Sequence, residues 1–242
     1  MIFIKKGRIL KRILIGIIVF ILVSTGIFIL WAKDTYKSLE TLSGNSLVEV
    51  ENTEYIVFKP KGIEASKGFI FYPGAKVEPE AYAKLCSKIA EDGYLVVIAP
   101  MTLDLAILSP NKAADIIKDY SNIESWAIGG HSLGGVMAAN YALKDNNIDG
   151  LVFYASYPQG DELVDSDLKV LSMYGSNDGV ADLNKIKEAV LPVGSDIVEI
   201  EGGNHAGFGT YGYQKGDNES EITSEEQIEK AAYYTIEFLK NL

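Results

Sequence analysis

Trp126-Ala127-Ile128-Gly129-Gly130-His131-Ser132-Leu133-Gly134-Gly135 is the most informative run in the chain. Residues 126–129 are a short apolar segment of the kind that makes a buried strand. From Leu133 to Lys144 the pattern is helical, so Gly130–Gly134, a G-x-S-x-G sequence, falls between a strand and a helix. A tight strand–turn–helix of this kind holds its serine in a strained backbone, and flanking glycines avoid Cβ clashes. The N-terminus of the following helix favours negative charge developing beside that serine. In a chain with 23 glycines a bare G-x-S-x-G arises by chance, and a glycine-rich turn with a serine N-cap is the plain alternative. The strand and helix on either side single out Ser132 as a nucleophile.

Further strands flank this run. Gly68–Tyr72, Tyr94–Ala99, Leu151–Tyr154, Val170–Tyr174 and Ile197–Ile200 are short, apolar and rich in β-branched or aromatic residues. Leu47–Val50 and Tyr55–Lys59 read as an antiparallel start that turns at Glu51-Asn52-Thr53. Helical stretches alternate with the strands at Pro79–Asp92, Asn111–Tyr120, Leu133–Lys144, Leu183–Val190 and Glu225–Leu239, the last with Ser224 and Gln227 spaced as a capping box. This order predicts an α/β fold, a mostly parallel sheet with helices on both faces and ligands at the carboxyl ends of the strands. About fifteen residues separate the strands ending at Tyr154 and starting at Val170, which leaves no room for a cap domain.

A serine hydroxyl needs a base, and the chain has two histidines. His131 adjoins Ser132, so its side chain should point elsewhere and be packed or bonded locally. His205 lies in Glu201-Gly202-Gly203-Asn204-His205-Ala206-Gly207, directly after the strand ending at Ile200, and is the base by elimination and position. An acid should orient it. Asp178, in Gly175-Ser176-Asn177-Asp178-Gly179 after the strand ending at Tyr174, is the first choice. Asp104 and Asp182, the latter at the head of a helix, are rivals. The order Ser132, Asp178, His205 is nucleophile, acid, base. Two N–H groups should receive an oxyanion. Leu133 supplies one, and the loop Pro73-Gly74-Ala75-Lys76 the other, from Ala75 or, with a different turn, Lys76.

The N-terminus reads differently. Residues 13–32, ILIGIIVFILVSTGIFILWA, carry no charge and would span about 30 Å as a helix, the thickness of a hydrocarbon core. The apolar run is longer than a signal peptide's, and WAKDTYKS makes a poor cleavage site. The expectation is an uncleaved anchor at 13–32 after a basic segment at 1–12, then a linker at 33–46 and one domain at 47–242. Lys5, Lys6, Arg8, Lys11 and Arg12 precede the span, which keeps the N-terminus cytoplasmic and the domain outside the cell membrane. Residues 35–242 hold 16 bases against 32 acids, which argues against nucleic-acid binding. A single cysteine, Cys86, excludes a disulfide framework, and two histidines exclude a multi-histidine metal centre.

With Tyr72-Pro73-Gly74-Ala75-Lys76, GGHSLGG, YGSNDGV and EGGNHAGFGTYG in place, residues 47–240 resemble the small bacterial α/β-hydrolases grouped as alpha/beta hydrolase fold-5 or dienelactone-hydrolase-related proteins. The resemblance implies Ser132, Asp178 and His205 as a triad, with Ala75 and Leu133 as oxyanion donors, and no metal or organic cofactor. Dienelactone hydrolases use a cysteine nucleophile where Ser132 stands, so their substrate does not carry over. The expected activity is cleavage of a carboxylic ester through an acyl-enzyme, on a small-molecule, lipid or glycan ester. Transfer of the acyl group to an alcohol is an alternative, and so is a non-catalytic surface binding module. Cys86 reads as core. Phe208, Tyr211 and Tyr213 either wall an acyl pocket or pack their loop, and the acidic residues Asp217, Glu219 and Glu221 read as a solvated loop.

Overall fold

The computed structural model describes residues 2–242, with side chains from residue 11 onward. It divides into two units, Met1–Asp34 and Thr35–Leu242. Helix α1 (Ile2–Ala32) makes up the first, and its Lys11–Ala32 portion is long and apolar enough to cross a membrane. Its large side chains, Phe20, Leu22 and Leu30 among them, stand exposed.

The second unit is an eight-stranded sheet. Its strands are β1 (Val48–Asn52), β2 (Ile56–Pro60), β3 (Lys67–Tyr72), β4 (Leu95–Ile98), β5 (Ser125–His131), β6 (Ile148–Tyr154), β7 (Lys169–Gly175) and β8 (Asp196–Ile200), in the order β1-β2-β4-β3-β5-β6-β7-β8. β1 and β2 pair antiparallel, as does β2 with β4, and all other neighbours are parallel. The helices are α2 (Ala83–Glu91), α3 (Lys112–Asp119), α4 (Leu133–Ala142), α5 (Leu183–Lys187) and α6 (Ser224–Lys240). The predicted fold class and the eight predicted strands are therefore present.

Strand alternation sorts the core into two layers. Phe69 and Phe71 of β3 pack with Leu85 and Ile89 of α2 and with Ile228 and Leu239 of α6. Ile70 and Tyr72, one residue out of phase, pack with Ile116 of α3 and with Met137 and Ala138 of α4. Cys86 is buried in the first layer. The connection from β6 to β7, residues 155–168, holds a single 3-10 turn at Glu162–Asp165 and no cap.

Two local details differ from the sequence reading. β5 runs to His131 rather than stopping at Gly129, because Gly130 pairs with Tyr72 and Phe153 and His131 pairs with Tyr154. Strands on both sides hold glycines that by themselves disfavour extended structure. The α6 capping box is formed by Thr223 and Glu226, not by Ser224 and Gln227. Shifting the cap back one residue frees Gln227 for another task described below.

The segment 35–46 lies against its own unit. Tyr36 forms a parallel bridge with Val77, its N–H donating to the Lys76 carbonyl at 2.7 Å and its carbonyl accepting from the Glu78 N–H at 3.0 Å. Lys37 pairs with Glu78 at 2.6 Å, and the Leu39 N–H donates to the Thr210 carbonyl at 2.8 Å.

Candidate active site

Ser132 follows β5 and caps α4 with φ +52° and ψ −123°, a conformation rare outside glycine. Its N–H donates to the Tyr154 carbonyl at 3.0 Å, and its carbonyl accepts from Ser156 Oγ at 2.7 Å. These bonds fix the turn from below. Gly134 has to be glycine, since a Cβ there would run into the carbonyl oxygens of Tyr72 and Pro73. Close approach of α4 to the loop after β3 thus follows from the sequence Gly130–Gly134.

The structure brings the predicted His205 and Asp178 together. Asp178 Oδ2 accepts from His205 Nδ1 at 2.8 Å, and both side chains are buried. The other oxygen, Oδ1, accepts from the Val180 and Ala181 N–H groups at 2.8 and 2.7 Å. In the neutral ring, Nδ1 donating to a carboxylate puts the lone pair on Nε2. His205 Nε2 is the one buried side-chain polar atom without a hydrogen-bond partner among the described residues. Ser132 Oγ makes no hydrogen bond to it in this structure, whereas partially exposed Ser132 stands at the same carboxyl end of the sheet.

Neither rival to Asp178 bonds His205. Asp182 caps α5, accepting from Asn184 N–H at 3.1 Å and Lys185 N–H at 3.4 Å. Asp104 follows β4 with φ +52°, and its carbonyl accepts from the Lys76 N–H at 2.8 Å. Burial, with Glu78 and Glu80 nearby, holds the Asp104 carboxyl above the usual carboxylate range.

Of the two sequence-predicted oxyanion donors, Leu133 opens α4 and Ala75 lies in the loop after β3. Neither N–H donates to any described residue. The Lys76 N–H, the alternative, is already used by Asp104.

Sequence reasoning missed the residues that hold these loops. Asp217, read as part of a solvated loop, is buried. Its carboxylate accepts from Gly179 N–H at 3.0 Å, Ala206 N–H at 2.8 Å, His205 N–H at 3.3 Å and Asn218 N–H at 2.9 Å. It therefore bridges the Asp178 turn and the His205 loop. Gln227, fully buried on α6, accepts from Asn204 N–H at 3.0 Å and donates to the Asn204 carbonyl at 2.8 Å. Neither role leaves a local signal, because the partners that tie the loops together, Gly179, His205 and Ala206 for Asp217 and Asn204 for Gln227, lie more than ten residues away in sequence. Phe208 and Tyr211 pack beneath the loop against Tyr154, Tyr82 and His131, while Tyr213 is exposed.

His131 is packed and hydrogen-bonded, but its two partners lie in segments distant in sequence rather than nearby. Its Nδ1 lies 2.8 Å from the Tyr82 hydroxyl and its Nε2 3.1 Å from the His205 carbonyl. The Tyr82 oxygen also accepts from Gly74 N–H at 3.1 Å. Burial above all, then the neighbouring His205, holds the His131 imidazole well below its ordinary pKa.

Among the described residues no group of three or more His, Cys, Asp or Glu side chains converges as a metal site would require. A hollow of about 830 Å³, lined by Ser125, Asp149 and Lys169, lies at the amino ends of β5, β6 and β7, the edge opposite Ser132. It is remote from the chemistry.

An open α/β sheet with a strained serine after β5 and an acid–histidine pair after β7 and β8 defines a hydrolase architecture. Residues 68–229 match the alpha/beta hydrolase family, and the chain belongs to that family. No curated protein matches it in sequence. Among solved structures it is similar to a CIB-like hydrolase from Thermoplasma acidophilum, with TM-score 0.58 and 21% identity over 81% of this chain and 98% of that one. Est1E from Butyrivibrio proteoclasticus, solved with ferulic acid bound, gives TM-score 0.59 and 13% identity over 80% and 96%. An esterase from Pyrobaculum calidifontis gives TM-score 0.58 and 13% identity over 90% of each chain. At these identities the likeness is one of fold.

Proposed function

We propose that this chain is a serine hydrolase that cleaves a carboxylic ester through an acyl-enzyme. The observation that carries the reading is the 2.8 Å bond from His205 Nδ1 to Asp178 together with a buried Nε2 that has no hydrogen-bond partner. Ser132 Oγ attacks the ester carbonyl, and His205 Nε2 takes the hydroxyl proton. The Leu133 and Ala75 N–H groups receive the oxyanion, and His205 returns the proton to the leaving alcohol. Water, activated by the same nitrogen, then releases the acid from Ser132. Tightening of the Ser132–His205 pair on substrate binding is in keeping with such sites, whose hydrogen bonds are often long before substrate arrives.

We also propose that residues 13–32, within the apolar helix portion Lys11–Ala32, are a single-pass anchor, with the five bases of residues 1–12 in the cytoplasm and the hydrolase domain on the outer side. An ester on a lipid or an acylated surface glycan is the substrate class this placement favours. Protease added to intact cells should digest the domain and spare the N-terminal segment.

The catalytic reading is tested on the full chain in detergent, with a fluorophosphonate probe and short- and medium-chain p-nitrophenyl esters. Wild-type labelling and turnover that both vanish in Ser132→Ala are expected. A folded wild-type chain that takes no label would bring the binding-module alternative to the front.

A further inference from the structure

Three separate segments have to be in register for the proposed chemistry: the turn carrying Ser132, the loop carrying His205, and the loop after β3 carrying the Ala75 N–H. One buried chain of hydrogen bonds touches all three. Gly74 N–H donates to the Tyr82 hydroxyl oxygen at 3.1 Å. Tyr82 O–H reaches His131 Nδ1 at 2.8 Å, and His131 Nε2 reaches the His205 carbonyl oxygen at 3.1 Å. His131 is covalently next to Ser132, and Gly74 is next to Ala75.

The donors and acceptors close in one direction. A carbonyl oxygen can only accept, so Nε2 of His131 carries the proton. Nδ1 is then a lone pair, and the Tyr82 O–H donates to it. The Tyr82 oxygen in turn accepts from Gly74 N–H. No proton is left over and no buried lone pair faces another. Tyr82 and His131 are both fully buried or nearly so, which makes each bond costly to leave unmade. The three segments are also packed too closely for a larger residue. A Cβ on Gly74 would lie 2.6 Å from His131 Nδ1 and 2.8 Å from the Tyr82 hydroxyl.

We infer that Tyr82 and His131 are positioning residues for the reaction, a neutral bridge that fixes the His205 loop and the Ala75 loop relative to Ser132. The role rests on the serine-hydrolase reading above. Neither residue touches substrate: His131 acts through the backbone carbonyl of His205, and Tyr82 through the N–H of Gly74, the residue before Ala75. A loss of register near an ångström at such a site costs up to about 100-fold in rate.

Tyr82→Phe deletes one hydroxyl and keeps the ring that packs at a tilt against Phe71 and His131. His131→Leu removes both polar contacts, and His131→Gln restores a side-chain N–H within reach of the His205 carbonyl. The full chain and these variants are checked for folding by thermal melting, then assayed for p-nitrophenyl ester turnover beside Ser132→Ala. Tyr82→Phe and His131→Leu should each lower kcat about 10- to 100-fold with KM changed less than about threefold. The double variant Tyr82→Phe/His131→Leu should lose little more than the worse single one, because both break the same chain. His131→Gln should recover much of the loss. Folded variants with wild-type kcat, losses that multiply in the double variant, or a His131→Gln no better than His131→Leu would each overturn the bridge. Where His131→Leu does not fold, Tyr82→Phe and His131→Gln still carry the test. An unlabelled wild type, or turnover that survives Ser132→Ala, removes the serine-hydrolase reading itself and the bridge with it, a result separable from the others because it appears without the bridge variants.

Discussion

Single side chains around Ser132 are committed to one partner or one set of partners each, and this makes their replacement costly in different currencies. Asp178 splits its oxygens between His205 Nδ1 and two backbone N–H groups. In Asp178→Asn an amide replaces the oxygen that fixes the imidazole tautomer, and kcat should fall about 10³- to 10⁴-fold with the fold retained, measured as ester turnover beside a melting curve. Asp217 is different, since it touches no reacting atom. Asp217→Ala strands four buried or partly buried N–H donors across two loops, and should cost about 3 kcal/mol or more of stability in urea unfolding. His131 gives a pH signature. Its folded ring stays neutral where the unfolded ring, near about 6.5, takes up a proton. The unfolded chain therefore binds more protons below that pH, so His131's contribution is fully present above it and is lost as pH falls. Its share approaches about 1.4 kcal/mol per pH unit below 6.5. His131→Gln should flatten the stability profile between pH 7 and 5 by that share, and an unchanged slope would count against a neutral buried ring.

Elements meet at the site through close backbone approach. α4 comes down onto the loop after β3 because residue 134 has no side chain. Gly134→Ala should destabilise the fold by about 2–3 kcal/mol and also reduce probe labelling, because the atoms displaced are the carbonyls of Tyr72 and Pro73, directly before the Ala75 loop. α6 contributes through Gln227, which the true cap at Thr223 turns inward onto Asn204. A capping box read one residue late conceals that role. Ser224–Gln227 and Thr223–Glu226 both fit the spacing, and local sequence does not choose between them. The choice falls to the tertiary contact, in which only the second register buries Gln227 against the His205 loop.

The whole hydrolase unit extends further toward the N-terminus than a domain starting at residue 47. Tyr36, Lys37, Ser38 and Leu39 bond to the Lys76–Glu78 segment and to Thr210, and the Tyr36 hydroxyl accepts from Lys215 N–H at 3.1 Å. Tyr36 and Leu42 pack against the core layer that holds α2 and α6. A chain of residues 47–242 should therefore melt at least about 4 °C below one of residues 35–242, compared by thermal unfolding at one protein concentration. Equal melting temperatures would mean that the segment adds nothing to the body.

The alternation of short apolar strands with helices, the glycines around Ser132 and the order of Ser132, Asp178 and His205 were legible in the sequence. Each is encoded by neighbours within a few residues: strand periodicity, a turn that needs glycine, a loop directly after a strand. The charge-free run from Ile13 to Ala32 was legible for the same reason. What only the tertiary structure decided is how distant segments share polar atoms. Asp217 reaches back to Gly179, Gln227 to Asn204, Tyr36 to Val77, and His131 joins Gly74, through Tyr82, to His205. A buried N–H or imidazole has to find a partner, but many residues along the chain offer one chemically, and only the packed sheet edge brings a particular pair within 3 Å.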